Sequence, residues 1–311
     1  MENKTKNSGL NRVTKYQKSE IKKIIGPKCP LCGSTNTKVR EEVTLDEVVS
    51  RISNRNNQVR EEIRKIWGGD TCKFMGCSDC SFGFAFPFKG GTNKLYSLIY
   101  DKPGNYPKEN PEYDLALKEI FSKDICLEIG SGAGFFLNKL SKKCKKENIH
   151  SVEVSNNKGD YKNISEVPDK KKFSAFFMFA VLEHLAEFRE VMDKINTTAT
   201  KDAKLFITVP HPEGVEHVQR KLGFGNIPPI HITEWNKETI RRLTGWEIVD
   251  YQVQTMSPWE NFKSYVYGIR TLKYPRTRNP LLLLDCIFRA LMITEFKKVK
   301  SNQYFYLKKK S

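Results

Sequence analysis

The sequence predicts an α/β protein: a doubly wound, mostly parallel sheet preceded by a small N-terminal zinc ribbon. Three observations predict it. Short apolar strands alternate with helix-period segments across residues 105–255, the first of those strands ends in a glycine turn that opens a helix, and two Cys-x-x-Cys pairs stand upstream. At 311 residues the chain has enough length for such a core and an appended module.

Composition narrows the class further. With 39% hydrophobic, 29% charged and 11% aromatic residues, the chain is neither disordered throughout nor collagen-like nor a coiled coil. Fifty-three Lys and Arg against 36 Asp and Glu give +17, which implies an anionic partner: nucleic acid, a phosphorylated metabolite or an acidic membrane surface. The excess concentrates at the ends, with eight Lys or Arg against two Glu in residues 1–28 and six Lys against one Glu in residues 295–311. No apolar run follows the first residues, so no secretory leader is expected. The most apolar stretch, 281–293, is interrupted by Asp285 and Arg289 and falls short of the roughly 18 residues of a spanning helix. The expected location is cytoplasmic, with peripheral membrane contact through residues 276–311 as an option. Eight cysteines then read as reduced thiols or metal ligands.

The elements follow in order. Residues 1–28 read as a disordered basic tail. Residues 29–90 hold the cysteine module, Cys29-Pro-Leu-Cys32-Gly33 and Cys77-Ser-Asp-Cys80, with Cys72 as a spare. Between the pairs, Val48, Val49, Ile52, Val59, Ile63 and Ile66 recur at helical intervals and predict a helical insertion over 45–67. Each pair sets two thiolates on a tight turn, the spacing of two corners of a tetrahedral zinc site; buried reduced thiols are the other reading. Four such ligands would close the metal's coordination and make it structural.

Residues 89–111, rich in Gly, Pro and Asn, read as a loop. Residues 105–255 form the expected core, with helices at 113–121, 135–144, 187–195 and 236–243 and strands at 125–129, 149–154, 175–179, 204–209 and 246–254. Residues 256–311 read as a basic, irregular extension apart from the apolar helix that Pro280 opens.

The run Glu128-Ile-Gly130-Ser131-Gly132-Ala133-Gly134-Phe135-Phe136 is a strand end, a glycine turn and a helix start. Glycines admit positive φ and close backbone approach, and the helix behind them offers unpaired N–H groups to a nucleotide-like ligand. Position 135 is Phe, so the third glycine comes one residue earlier than in a dinucleotide fingerprint. The pattern Glu-x-Gly-x-Gly-x-Gly resembles the S-adenosylmethionine loop of class I methyltransferases. Two more segments support that resemblance: Val181-Leu182-Glu183-His184-Leu185 after the family's fourth strand, and Leu205-Phe206-Ile207-Thr208-Val209-Pro210-His211 as its fifth. The likeness spans roughly residues 105–252. It implies S-adenosyl-L-methionine as cofactor, with Glu128 near the ammonium and Glu153 on the ribose. Gly130, Ser131, Gly132, Gly134, Phe135, Phe136, Val154, Phe179, Ala180 and Val181 would complete the cofactor site.

Two departures stand out. Residues 155–172 are too few for the helix and strand that relatives carry there, and position 174, commonly Asp in them, is Ser. For adenine this leaves Glu166 or a backbone N–H near Ser165.

A cysteine ribbon ahead of this core is similar to a methyltransferase subgroup that includes sugar-modifying enzymes of antibiotic and surface-glycan pathways. The resemblance implies a nucleotide-linked sugar or glycan acceptor and structural Zn2+. For an acceptor that must lose a proton, His184, His231 and His211 are the candidate bases. A locally packed His184 bonding to backbone is the competing reading, with Glu183 a helix-start carboxylate; His150 and His217 read as structural or solvated. RNA methylation and a cofactor-binding protein that has lost catalysis are the alternatives.

Overall fold

The computed structural model describes residues 26–52, 56–100, 109–154, 159–214, 227–257, 259–260 and 299–310. The apolar segment 281–293, His217 and most of the basic N-terminal tail lie outside the described residues.

The cysteine module is built on an antiparallel sheet. Thr37–Thr44 (β1) pairs with Thr71–Cys77 (β2), which pairs with Gly83–Phe86 (β3). A fourth strand, Thr233–Glu234 (β8), reaches this sheet from far along the chain and pairs with β3. The insertion is two helices, Leu45–Ile52 (α1) and Asn57–Trp67 (α2). Asn56 caps α2 by accepting the Gln58 N–H, and Gly68, in the left-handed region, ends it.

The expected loop after β3 contains a helix, Asn93–Tyr100 (α3). Leu95, Tyr96, Leu98 and Ile99 carry helical spacing there, and the glycines and prolines on either side mask it. Leu95 packs in a cluster with Val48, Val49, Val59, Ile63, Ile227, Ile230 and Ile232, so the insertion and α3 bury their apolar faces against the segment ahead of β8.

Helix Pro111–Lys118 (α4), capped by Asn110, leads into the larger sheet. Its strands are Cys126–Ile129 (β4), Ile149–Val152 (β5), Phe173–Phe179 (β6), Ala199–Pro210 (β7), Glu247–Met256 (β9) and Val299–Lys308 (β10), in the order β5-β4-β6-β7-β10-β9. The first four run parallel, and β10 is antiparallel to both its neighbours. Phe135–Leu140 (α5), Phe188–Thr198 (α6) and Lys237–Thr244 (α7) supply helices between strands.

β10 corrects the expectation of an irregular basic end. Tyr304 and Tyr306 point to one buried face beside Phe177 and Phe206, while Phe305 and Leu307 point to the other beside Leu205 and Ile207. The lysines that suggested a tail flank a strand interior. Part of the stretch expected to contact a membrane is thus inside the sheet.

The short stretch after β5 has a visible outcome. The next strand is reduced to one parallel bridge, Tyr161 against Val152, and Asp160 uses its side chain to accept the Ser151 N–H at 2.9 Å. Ser174 also has a structural role: its hydroxyl donates to Asp124 at 2.8 Å, and Asp124 accepts from Lys204 at 2.8 Å.

The two sheets share one apolar cluster. Cys29, Leu31, Cys77 and Cys80 belong to it together with Phe176, Phe188 and Trp235. Phe82 bridges them, its ring 4.6 Å from Trp235 and 5.8 Å from Phe188. Arg189 of α6 donates to the carbonyls of Pro30 and Leu31, clamping the first cysteine turn onto the core.

Candidate functional site

The glycine turn leaves β4 at Gly130, whose N–H donates to the Val152 carbonyl at 2.8 Å. Gly130, Gly132 and Gly134 have φ of +76°, +53° and +79°. A Cβ at Gly130 would lie 2.5 Å from a methyl of Val181, so the turn is closed to side chains sterically as well as by its backbone. Gly134 caps α5 with no side chain over the helix end, and Ser131 accepts its N–H at 2.8 Å.

Two buried carboxylates flank this turn. Glu153 Oε2 accepts the Gly132 N–H at 2.5 Å. Glu128 is 3% exposed, and its Oε2 has no hydrogen-bond partner among the described residues. Burial, then the charge of Glu153, pushes the Glu128 carboxyl well above the usual range. Tyr113, which the sequence reading placed only on a helix, belongs here too: burial, then the Glu128, Glu112 and Glu109 charges, raise its phenol to about 12.

Among the other residues expected at the cofactor, Ala180 is exposed with φ of +53°, its N–H held by the Thr208 carbonyl at 3.0 Å. Val181 packs on Gly130, and Val154 is exposed. Phe135 and Phe179 are half-buried. Phe136 is a core residue, ringed by Tyr113, Phe177 and Phe179 at 5.1, 4.7 and 4.8 Å. Glu166 serves its own turn, accepting the Lys162 N–H at 2.8 Å, and Ser165 lies in the same 3-10 turn.

Beyond β6 the chain makes a 3-10 turn, Leu182–His184, and this turn gathers a second group. His184 Nδ1 faces the Ile230 carbonyl at 2.8 Å and therefore carries the proton in the neutral ring, leaving the Nε2 lone pair. His231 lies beside it, ring centroids 4.6 Å apart and nearly perpendicular. Nε2 of each imidazole is 4.0 Å from the same oxygen, Oε1 of buried Glu183. The Tyr96 hydroxyl of α3 is 3.3 Å from His184 Nδ1. Glu183 lies in this 3-10 turn itself, ahead of α6, which begins at Phe188.

The backbone holds this group together. The Ile232 N–H donates to the Glu183 carbonyl at 2.9 Å and the Thr233 hydroxyl to the Leu182 carbonyl at 3.3 Å. A Cβ at Gly90 would meet the His184 carbonyl at 2.8 Å, so glycine is required there. His211 stands outside the group: its Nδ1 accepts the Glu213 N–H at 3.1 Å, and burial and Lys300 lower its pKa. His150 is held at the β5 edge near Lys171 and Asp160.

The four cysteines converge. Sγ of Cys29 is 3.7 Å from that of Cys80, Sγ of Cys32 is 3.6 Å from that of Cys77, and all four lie within 4.8 Å of one another. Zinc–thiolate bonds of about 2.3 Å put the sulfurs of a tetrahedral site about 3.8 Å apart, so this donor set fits that metal. Gly33 and Ser81, each directly after the second cysteine of its pair, have φ of +77° and +61° and turn the chain at matching places. Cys72 is buried elsewhere, among the residues of α1 and α2.

Comparison with known families matches one stretch of the chain. Residues 108–250 match the family model described as a methyltransferase domain. No curated protein matches the chain. Among solved structures, a SAM-dependent methyltransferase from Archaeoglobus fulgidus is 14% identical, covering 69% of this chain and 100% of its own at a TM-score of 0.44. The N-methyltransferase NodS from Bradyrhizobium japonicum, in complex with S-adenosyl-L-homocysteine, is 13% identical, covering 68% and 92% at 0.41. The cyclase SpnF is 11% identical, covering 63% and 79% at 0.43. Identities this low carry no chemistry from those proteins to this one.

Proposed function

We propose that the chain, whose residues 108–250 match the model of a methyltransferase domain, transfers a methyl group from S-adenosyl-L-methionine to a small-molecule acceptor, a nucleotide-linked sugar or a surface glycan. One observation carries the cofactor part: a turn of three glycines at positive φ lies between two buried carboxylates, and Glu128 there has an oxygen with no hydrogen-bond partner among the described residues. A buried carboxyl of that kind is held as the anion only beside a cation, and the ligand's ammonium supplies one. When bound, S-adenosylmethionine supplies a methyl group on a cationic sulfur.

The chain's own residues have distinct tasks in this reading. Glu128 accepts the ammonium. Glu153, kept in place by the Gly132 N–H, accepts the ribose hydroxyls. The protein's main contribution to rate is alignment of acceptor and methyl, worth up to about 7 to 11 kcal/mol. The Glu183–His184–His231 group, beyond the carboxyl end of β6, faces the acceptor and engages the hydroxyl that must lose its proton. The four cysteines hold one structural zinc, which stiffens the ribbon against the core.

Titration calorimetry tests the first part. Wild-type chain should bind S-adenosylmethionine with micromolar affinity, and Glu153→Gln should weaken it about 10- to 100-fold, the value of losing charged hydrogen bonds. No heat from the wild type overturns the cofactor reading. Mass spectrometry after incubation with methyl-labelled cofactor tests the acceptor: label on nucleotide sugars or glycans supports the proposal, and label on RNA replaces it.

A further inference from the structure

Glu183, His184 and His231 combine a carboxylate and two imidazoles, donor types that divalent cations accept. They lie within 4.8 Å of one another, in a set separate from the four cysteines. Nε2 of each imidazole is 4.0 Å from Glu183 Oε1, and the three residues each offer a donor atom within 4.8 Å of the other two, so a point within about 2.8 Å of all three donors exists. That is close to the bond length of a divalent cation to nitrogen and oxygen.

The surroundings have the character of a metal site. His184 Nδ1 donates to the Ile230 carbonyl, which orients the ring and keeps the Nε2 lone pair toward Glu183. The Ile232 N–H and the Thr233 hydroxyl, both donating to carbonyls of the turn, fix the second imidazole's segment against the first. The low exposure of Glu183 limits competition from water for its oxygens.

We propose that Glu183, His184 and His231 bind a divalent metal ion whose remaining coordination positions take hydroxyl oxygens of the methyl acceptor. Three protein ligands leave positions open, in contrast to the closed four-thiolate cluster. The ion's charge favours the deprotonated hydroxyl, so the acceptor proton can leave to solvent and neither imidazole has to hold it. An acceptor offering two adjacent hydroxyls would chelate it. This use of the ion rests on the acceptor-side reading above, but binding of the ion does not, so it is measured without cofactor or acceptor.

The probe is Mn2+, a hard ion that the thiolate cluster, kept loaded with zinc, does not favour. Full-length chain is titrated with Mn2+ and the free-ion electron paramagnetic resonance signal is followed. The expected result is uptake of about one equivalent, weakened about 10-fold or more in Glu183→Gln and in His231→Ala and unchanged in His150→Ala. Pulsed resonance adds a readout independent of stability: imidazole nitrogen couplings in the wild type, reduced in His231→Ala. A wild-type chain that takes up no Mn2+, or whose uptake survives His231→Ala with the same nitrogen couplings, overturns the proposal. Loss of Mn2+ uptake with intact cofactor binding leaves the methyltransferase reading standing, so the two failures are distinguishable.

Discussion

The four-cysteine cluster and the Glu183–His184–His231 group are both sets of donors gathered from distant parts of the chain, and they differ in closure. The cysteines come two and two from matching turns, stand at tetrahedral spacing and join the apolar cluster shared by the two sheets. The second group takes two members from one turn and the third from residue 231, and tyrosine and backbone surround it. In the proposed reading the set of four serves the fold and the set of three serves chemistry. Substitutions in the two places should therefore fail in different ways.

The largest effect belongs to the closed set. Cys77→Ser should lose the zinc and lower the melting temperature by about 10 °C or more, because structural zinc contributes apparent binding free energies of about 10 to 16 kcal/mol in small modules. The cluster lies in the core shared by both sheets, so the loss should spread beyond the ribbon. Metal analysis and thermal unfolding decide it; less than about half an equivalent of zinc in the wild type would count against a structural metal altogether.

The open set should respond in the other direction. His184→Ala is expected to lower turnover by about 100-fold or more while S-adenosylmethionine affinity changes little. Steady-state rates and calorimetry on the same preparation check this. Near-normal turnover would show that the pair of imidazoles is only packing, and the contrast between the two regions would then be one of composition alone.

These regions were also unequally legible in sequence. Cys-x-x-Cys twice, and Glu-x-Gly-x-Gly-x-Gly at a strand end, are local patterns whose chemistry sits within a few residues, and both segments fold as their spacing requires. The Glu183 group is nonlocal: Tyr96 comes from a helix hidden between glycines and prolines, and His231 arrives only because β8 crosses to the other sheet. Spacing along the chain carries no trace of that. The same limit explains β10, whose flanking lysines outweigh its aromatic interior in sequence, while in the fold it pairs with β7 and β9 on its two edges and buries both faces. The shortened stretch after β5 was visible as a count of residues, but the substitution of the Asp160 side chain for a missing strand partner was not.

The smallest effect sharpens the contrast at a third place, the glycine turn, where Glu128 Oε2 has no hydrogen-bond partner among the described residues. Burial and the neighbouring Glu153 raise the Glu128 pKa in the fold. A group with a raised folded pKa lends stability that is complete below its unfolded value of about 4.3 and is lost as pH rises through the folded one. Glu128 is thus protonated across that window, whereas an ammonium ligand requires the carboxylate. Binding must release a proton there, and affinity should rise with pH, by up to tenfold for each unit while the acid form dominates. Calorimetry in buffers of different ionisation enthalpy counts that proton. Glu128→Gln should bind more weakly with no release and a flat pH profile; the same proton count in both proteins would mean that Glu128 is charged before the ligand arrives, and that its partner is already within the fold.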